Sequence, residues 1–262
     1  MPAATTASFF ESRIRLRGLA SGLRACTGKI CSALVRPNWF VGLSTPDISW
    51  QRYWGDSYGT ELKHWLLKPV FEELENTGRI GGLIVDVGSG AVPVTEFLKR
   101  KAGRKRILID IAAADDSHSA DELRIRLDAE SIGRPAVWSM RKALLRLCKF
   151  LEIDPLAARN TARADTIVFS DILNYVDFRE VLRGFATYLK PGGRIIVSNM
   201  PVRGNAALFS GKGLHDNRQL QRFLDEHHFE IEHKSFPCRP RGETDEAEEL
   251  IVLVARKPIS VP

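Results

Sequence analysis

A short aliphatic run broken by one acid, Leu83-Ile84-Val85-Asp86-Val87, leads straight into Gly88-Ser89-Gly90. A run this short and this apolar suits a strand covered on both faces, which demands helices above and below a largely parallel sheet. The two glycines permit positive φ and bring bare backbone close to any ligand lying over the strand's end. A GxG turn alone is a weak signal, because dinucleotide-binding proteins and ordinary turns carry it too. The nicotinamide fingerprint would want a third glycine where this chain has Pro93, and it needs no acid two residues before the first glycine.

The rest of the chain alternates as a doubly wound α/β protein does. Ahead of the first strand, apolar residues at helical intervals predict a helix starting near Thr60, kinked or broken at Pro69 and ended by Asn76-Thr77-Gly78. After it come a helix over 92–101 and strands over 106–110 and 124–127. Residues 135–151 predict an inserted amphipathic helix, followed by a strand at 166–170, a helix at 178–189 and a strand at 194–199. Pro191-Gly192-Gly193 is read as the turn before that last strand. A helix at 216–226 and strands at 229–234 and 250–256 complete a mostly parallel seven-stranded sheet with an antiparallel edge strand. The expected organisation is a basic N-terminal helical extension over 1–46 and one α/β domain over 47–262, with a helical insertion near 131–163.

Composition excludes other classes. With 44% hydrophobic and 27% charged residues the chain is neither disordered nor collagenous. No apolar run is long enough to cross a bilayer. Cys26, Cys31, Cys148 and Cys238 form no CxxC pair, and His64, His118, His215, His227, His228 and His233 show no HExxH spacing, so no metal is expected. Arg13, Arg15, Arg17, Arg24, Lys29 and Arg36 face only Glu11 within residues 1–46, which holds most of the formal net charge of +6 in that arm. A phosphate platform needs its basic residues gathered on the folded domain, so nucleic acid is not the expected partner. The arm suits a transit peptide or, by preference, a helical lid on a cytoplasmic enzyme.

The segment VDVGSGAVPVTEFL resembles the first motif of class I S-adenosylmethionine-dependent methyltransferases, and later segments match the family in order. The resemblance covers about residues 80–256 and departs from many members at Val92, where they keep a third glycine. It implies S-adenosyl-L-methionine as cofactor, with Asp86, Gly88 and Gly90 in the first motif. Asp110, followed by Ile111, would hold the ribose hydroxyls, for which a carboxylate's two acceptor oxygens are suited. Leu127-Asp128-Ala129 resembles the adenine-binding third motif, with Glu130 a rival to Asp128. The stretch 164–176 resembles the fourth, whose strand end at Ser170 lines the methionine portion, and Leu189-Lys190-Pro191-Gly192-Gly193 resembles the turn before the fifth strand.

The resemblance implies methyl transfer to oxygen or nitrogen of a small acceptor, with His215, Asp171 and Tyr175 the candidate bases and no Asn-Pro-Pro-Tyr or Asp-Pro-Pro-Tyr sequence present. Trp50, Tyr53, Trp54 and Tyr58 lie where members often close a helix over the cofactor, and Tyr58 is the candidate ligand contact. No membrane partner is expected and a homodimer is left open. The competing readings are an RNA or protein methyltransferase using the basic arm, a non-catalytic nucleoside-binding relative, and a nicotinamide-dependent oxidoreductase.

Overall fold

The first helix buries one stripe and ends on a glycine. In the computed structural model, which describes residues 58–90, 92–98, 103–111, 119–132, 138–154, 163–199, 212–236 and 250–259 (side chains of 58–66 and 138–141 excepted), α1 spans Tyr58–Asn76. Leu67, Val70, Phe71 and Leu74 recur at helical spacing and are all buried. Gly78 at φ +66 closes the helix, with Gly78 N–H donating to Glu75 O and Arg79 N–H to Leu74 O. The break expected at Pro69 is absent: α1 runs through it, and Pro69 lies on the exposed side, where water can take the carbonyl that the ring leaves without a donor.

Seven strands follow: β1 (Leu83–Val87), β2 (Lys105–Asp110), β3 (Glu122–Arg126), β4 (Ala164–Ser170), β5 (Leu189–Asn199), β6 (Glu230–Ser235) and β7 (Ile251–Arg256). They form one sheet in the order β3-β2-β1-β4-β5-β7-β6. The first five are parallel, and β7 runs antiparallel to both β5 and β6 from a place between them, so the last pair makes the edge.

Period-two alternation divides the strands between two cores. Ile84, Val168, Ile196, Val252 and Val254 pack with α1 on one face. Val85, Ile107, Ile167, Phe169, Val197 and Leu253 pack on the other with α2 (Trp138–Leu151), α3 (Phe178–Thr187) and α4 (Asn217–Glu226). Asp177 caps α3 by accepting from Glu180 N–H, and Asp216 caps α4 by accepting from Arg218 N–H.

Two expected elements take another form. In place of a helix over 92–101, the described residues after the glycine turn hold a four-residue 3-10 helix, Val94–Phe97. The turn expected at Pro191-Gly192-Gly193 lies inside β5: a register shift against β4 and Gly192 at φ +76 bulge the strand there, and Gly192 N–H and Gly193 O pair with the backbone of Lys257. The boundary expected near residue 46, and Trp50, Tyr53 and Trp54, lie outside the described residues.

Candidate functional site

In the strand order, β1 and β4 are neighbours whose connections leave in opposite directions, to β2 and to β5. Such a switch point opens a crevice at the carboxyl ends of the two strands, where ligands of open α/β sheets bind. The glycine turn sits there. Gly88 and Ser89 donate their N–H groups to Ile109 O at 2.8 and 3.2 Å, which ties the turn to β2. Gly88 and Gly90 have φ of +72° and +63°, in the left-handed region that glycine alone enters without strain.

Their surroundings differ. A Cβ on Gly88 would stand 2.9 Å from Ile172 Cβ, so the residue following β4 by two presses directly on the first glycine. A Cβ on Gly90 would meet no atom of the described residues within 4 Å: among them this glycine borders open space. Its N–H donates to Asp110 Oδ2 at 2.8 Å, joining the turn to the tip of β2. Asp110 and the adjoining Ile111 are half-buried.

One strand further, Leu127 N–H donates to Asp110 O and brings Asp128 beside that tip. Asp128 is half-buried, caps the 3-10 turn Ala129–Ser131 and accepts from Glu130 N–H at 3.0 Å, while Ala129 is buried. Glu130, the rival for the same role, is committed elsewhere: its Oε1 accepts from Asp177 N–H at 2.8 Å and fastens the start of α3.

Asp86 is bonded within the fold. It is 0% exposed, and its Oδ2 accepts from the Thr95 hydroxyl at 2.9 Å and the Thr95 N–H at 3.4 Å. Residues of β1 alternate between faces, and Asp86 points with Ile84 into the α1 side beneath the turn. Its Oδ2 bonds go to Thr95, beyond the glycine turn. Thr95, which donates to Asp86, and Arg106, which donates to Thr95 O, gave no motif signal in the sequence.

Across the crevice, β4 ends at Ser170, which is 3% exposed and whose Oγ has no hydrogen-bond partner among the described residues. Asp171 follows at φ +53°, a conformation costly for a side chain with a Cβ and held here by its N–H donating to Ser198 O at 2.8 Å. Asn174 Oδ1 accepts from Asn199 Nδ2 at 2.9 Å, and Tyr175 N–H closes the turn onto Ile172 O.

The segment carrying His215 lies along this loop. Leu214 N–H donates to Leu173 O, and Lys212 Nζ stands 3.0 Å from Asp177 Oδ2. Hydrogen bonding to Asp177 raises the Lys212 ammonium above its ordinary value. Asp171, Tyr175 and His215, all half-buried, therefore belong to two segments bonded side by side. Tyr58 begins α1, and its side chain lies outside the described residues. Among the described residues no group of three potential metal ligands occurs, and no helix is long and apolar enough to cross a membrane.

The donor set fits an adenosyl group: bare backbone at Gly90 beside open space, and two half-buried carboxylates on adjacent strand tips to accept from hydroxyl and amino groups. No family model and no curated protein matches the sequence. Solved structures do. The CurJ carbon methyltransferase is similar at a TM-score of 0.55 and 16% identity, over 98% of this chain and 71% of that one. The 1,6-didemethyltoxoflavin-N1-methyltransferase of Burkholderia thailandensis, solved with S-adenosylhomocysteine, gives 0.49 and 15% over 86% and 92%. The [4+2]-cyclase SpnF gives 0.48 and 16% over 74% and 80%. Identity this low carries architecture alone, and with the strand order above it shows that the chain shares the fold of the CurJ carbon methyltransferase.

Proposed function

We propose that this protein is an S-adenosylmethionine-dependent methyltransferase that modifies oxygen or nitrogen of a small acceptor. The observation that carries the reading is the Gly90 N–H bonded to Asp110 Oδ2 beside an open cradle, with Asp128 on the next tip. Asp110 would accept from the ribose hydroxyls and Asp128 from the adenine amino group. Such a bound cofactor supplies a methyl group on a sulfonium for in-line displacement.

The chain's own task is alignment and exclusion of water, and positioning of this kind is worth about 7–11 kcal/mol of barrier. The loop 171–177 sits across the switch point from the cradle and is tied down by Ser198, Asn199, Leu214 and Glu130. Asp171, Tyr175 and His215 on these two segments are the groups that would orient the acceptor or take its proton. A small acceptor is favoured over RNA by charge, since the basic excess lies in residues 1–46 and the remainder is close to neutral.

Calorimetric titration of the full chain with S-adenosylhomocysteine, and separately with NADH, tests the reading. Saturable binding of the first and none of the second is the expected result. Binding of NADH alone, or of neither at millimolar concentration, would end it.

A further inference from the structure

Behind the glycine turn lies a clamp that no motif announces. The turn runs into Val94–Phe97, whose backbone bonds are Glu96 N–H to Pro93 O and Leu98 N–H to Thr95 O. A 3-10 helix this short has too few bonds to hold the loop in front of it. Thr95, 0% exposed, is instead gripped by every polar group it has. Its hydroxyl and N–H donate to Asp86 Oδ2, and its carbonyl accepts from Arg106 Nη1 at 3.1 Å as well as from Leu98 N–H.

Each charge complements the backbone group it meets, the carboxylate at the Thr95 N–H and the guanidinium at the Thr95 carbonyl. Arg106 is itself buried and neutralised: Nη2 donates to Glu96 at 3.0 Å and to Glu122 at 2.6 Å, so the grip reaches from β1 through the 3-10 helix to β2 and β3. Charge-assisted bonds of this kind are about twice as strong as neutral ones and resist solvent when buried.

We infer that Asp86, Thr95 and Arg106 form a positioning clamp that holds the glycine turn in its ligand-ready shape. Gly88 is anchored on Ile109 O and Gly90 on Asp110, and the clamp fixes the far end of the same loop. The inference rests on the reading of that turn as the nucleoside cradle. Asp86 and Arg106 are positioning residues, since both act through Thr95.

The test compares Thr95→Val, which keeps shape and removes the hydroxyl, with Thr95→Ser, which restores it. Hydrogen exchange of backbone amides 88–90 in the ligand-free full chain is expected to quicken about ten-fold in T95V and to return to the original rate in T95S, the change that loss of one buried bond would bring. By calorimetry, T95V should bind S-adenosylhomocysteine about ten-fold more weakly, and T95S within about two-fold of the unaltered chain. Should T95V not fold, Arg106→Lys, which keeps charge but loses the fork, is held to the same exchange and binding outcomes. Unchanged exchange and affinity in a folded T95V, or T95S as impaired as T95V, overturns the clamp. If the unaltered chain binds no S-adenosylhomocysteine, the methyltransferase reading falls, and the exchange comparison still decides the clamp.

Discussion

Gly88 and Gly90 share a left-handed backbone but should respond differently to the same substitution. Gly88→Ala adds a methyl 2.9 Å from Ile172 Cβ to the strain of positive φ, so it is expected to destabilise by about 2–4 kcal/mol, read as a lower melting temperature. Gly90→Ala meets open space and costs about 1–2 kcal/mol for conformation alone. Its methyl would stand in the cradle, so its expected signature is a well-folded protein that no longer binds S-adenosylhomocysteine. Equal melting temperatures for the two variants would contradict this distinction. Asp110→Asn keeps shape and removes the charge that receives Gly90 N–H, and a loss of about 1.5–3 kcal/mol in S-adenosylhomocysteine binding is expected by calorimetry. At this scale the sequence was informative wherever a residue type had one physical use, as with glycine at positive φ. Asp86 is less legible, because an acid two residues before a glycine turn reads the same whether it serves a ligand or accepts from a threonine, as it does from Thr95.

The elements show which signals survive folding. The strands were legible because short aliphatic runs buried on both sides have few alternatives. The Pro69 kink and the Pro191-Gly192-Gly193 turn were not legible, since tertiary context decided both: an exposed helix face tolerated the proline, and pairing with Lys257 drew the glycines into β5. Two packing features carry predictions. Beneath α2 lies an apolar cavity of about 60 Å³ lined by Val85, Ile107, Ile125, Ala143, Leu147 and Phe185. Ala143→Val puts methyl groups into it and should stabilise the fold by about 1 kcal/mol, measured as a shift of the urea midpoint at unchanged slope. Arg104 donates through both terminal nitrogens to the buried Glu75, tying β2 to the end of α1. Arg104→Met would leave that carboxylate buried beside an apolar side chain and should cost about 3–5 kcal/mol by the same measurement.

Across the whole molecule, charge pairs gather at the edge formed by β6 and β7. Burial alone would raise the Glu232 carboxyl, but the Arg194 guanidinium, bonded to both its oxygens, outweighs this and, with Arg79 and Arg256, holds it below its ordinary value of 4.5. A carboxylate whose folded-state value is depressed stabilises the fold above its unfolded value and loses that contribution as pH falls through the folded one. Stability should therefore decline on acidification below about pH 4.5. In Glu232→Gln that decline should be shallower in melting curves taken across the range; a superimposable acid limb would refute the assignment. The order of strands has a further consequence for biogenesis. Among the described residues β6 hydrogen-bonds to the sheet only through β7, and β7 also covers the outer side of β5. A ribosome must deliver six strands before the keystone that joins the sixth to the others. Between those two moments the aliphatic flank of β5 is open to any passing extended chain, which makes that interval, rather than the finished protein, the stage at which chaperones matter most.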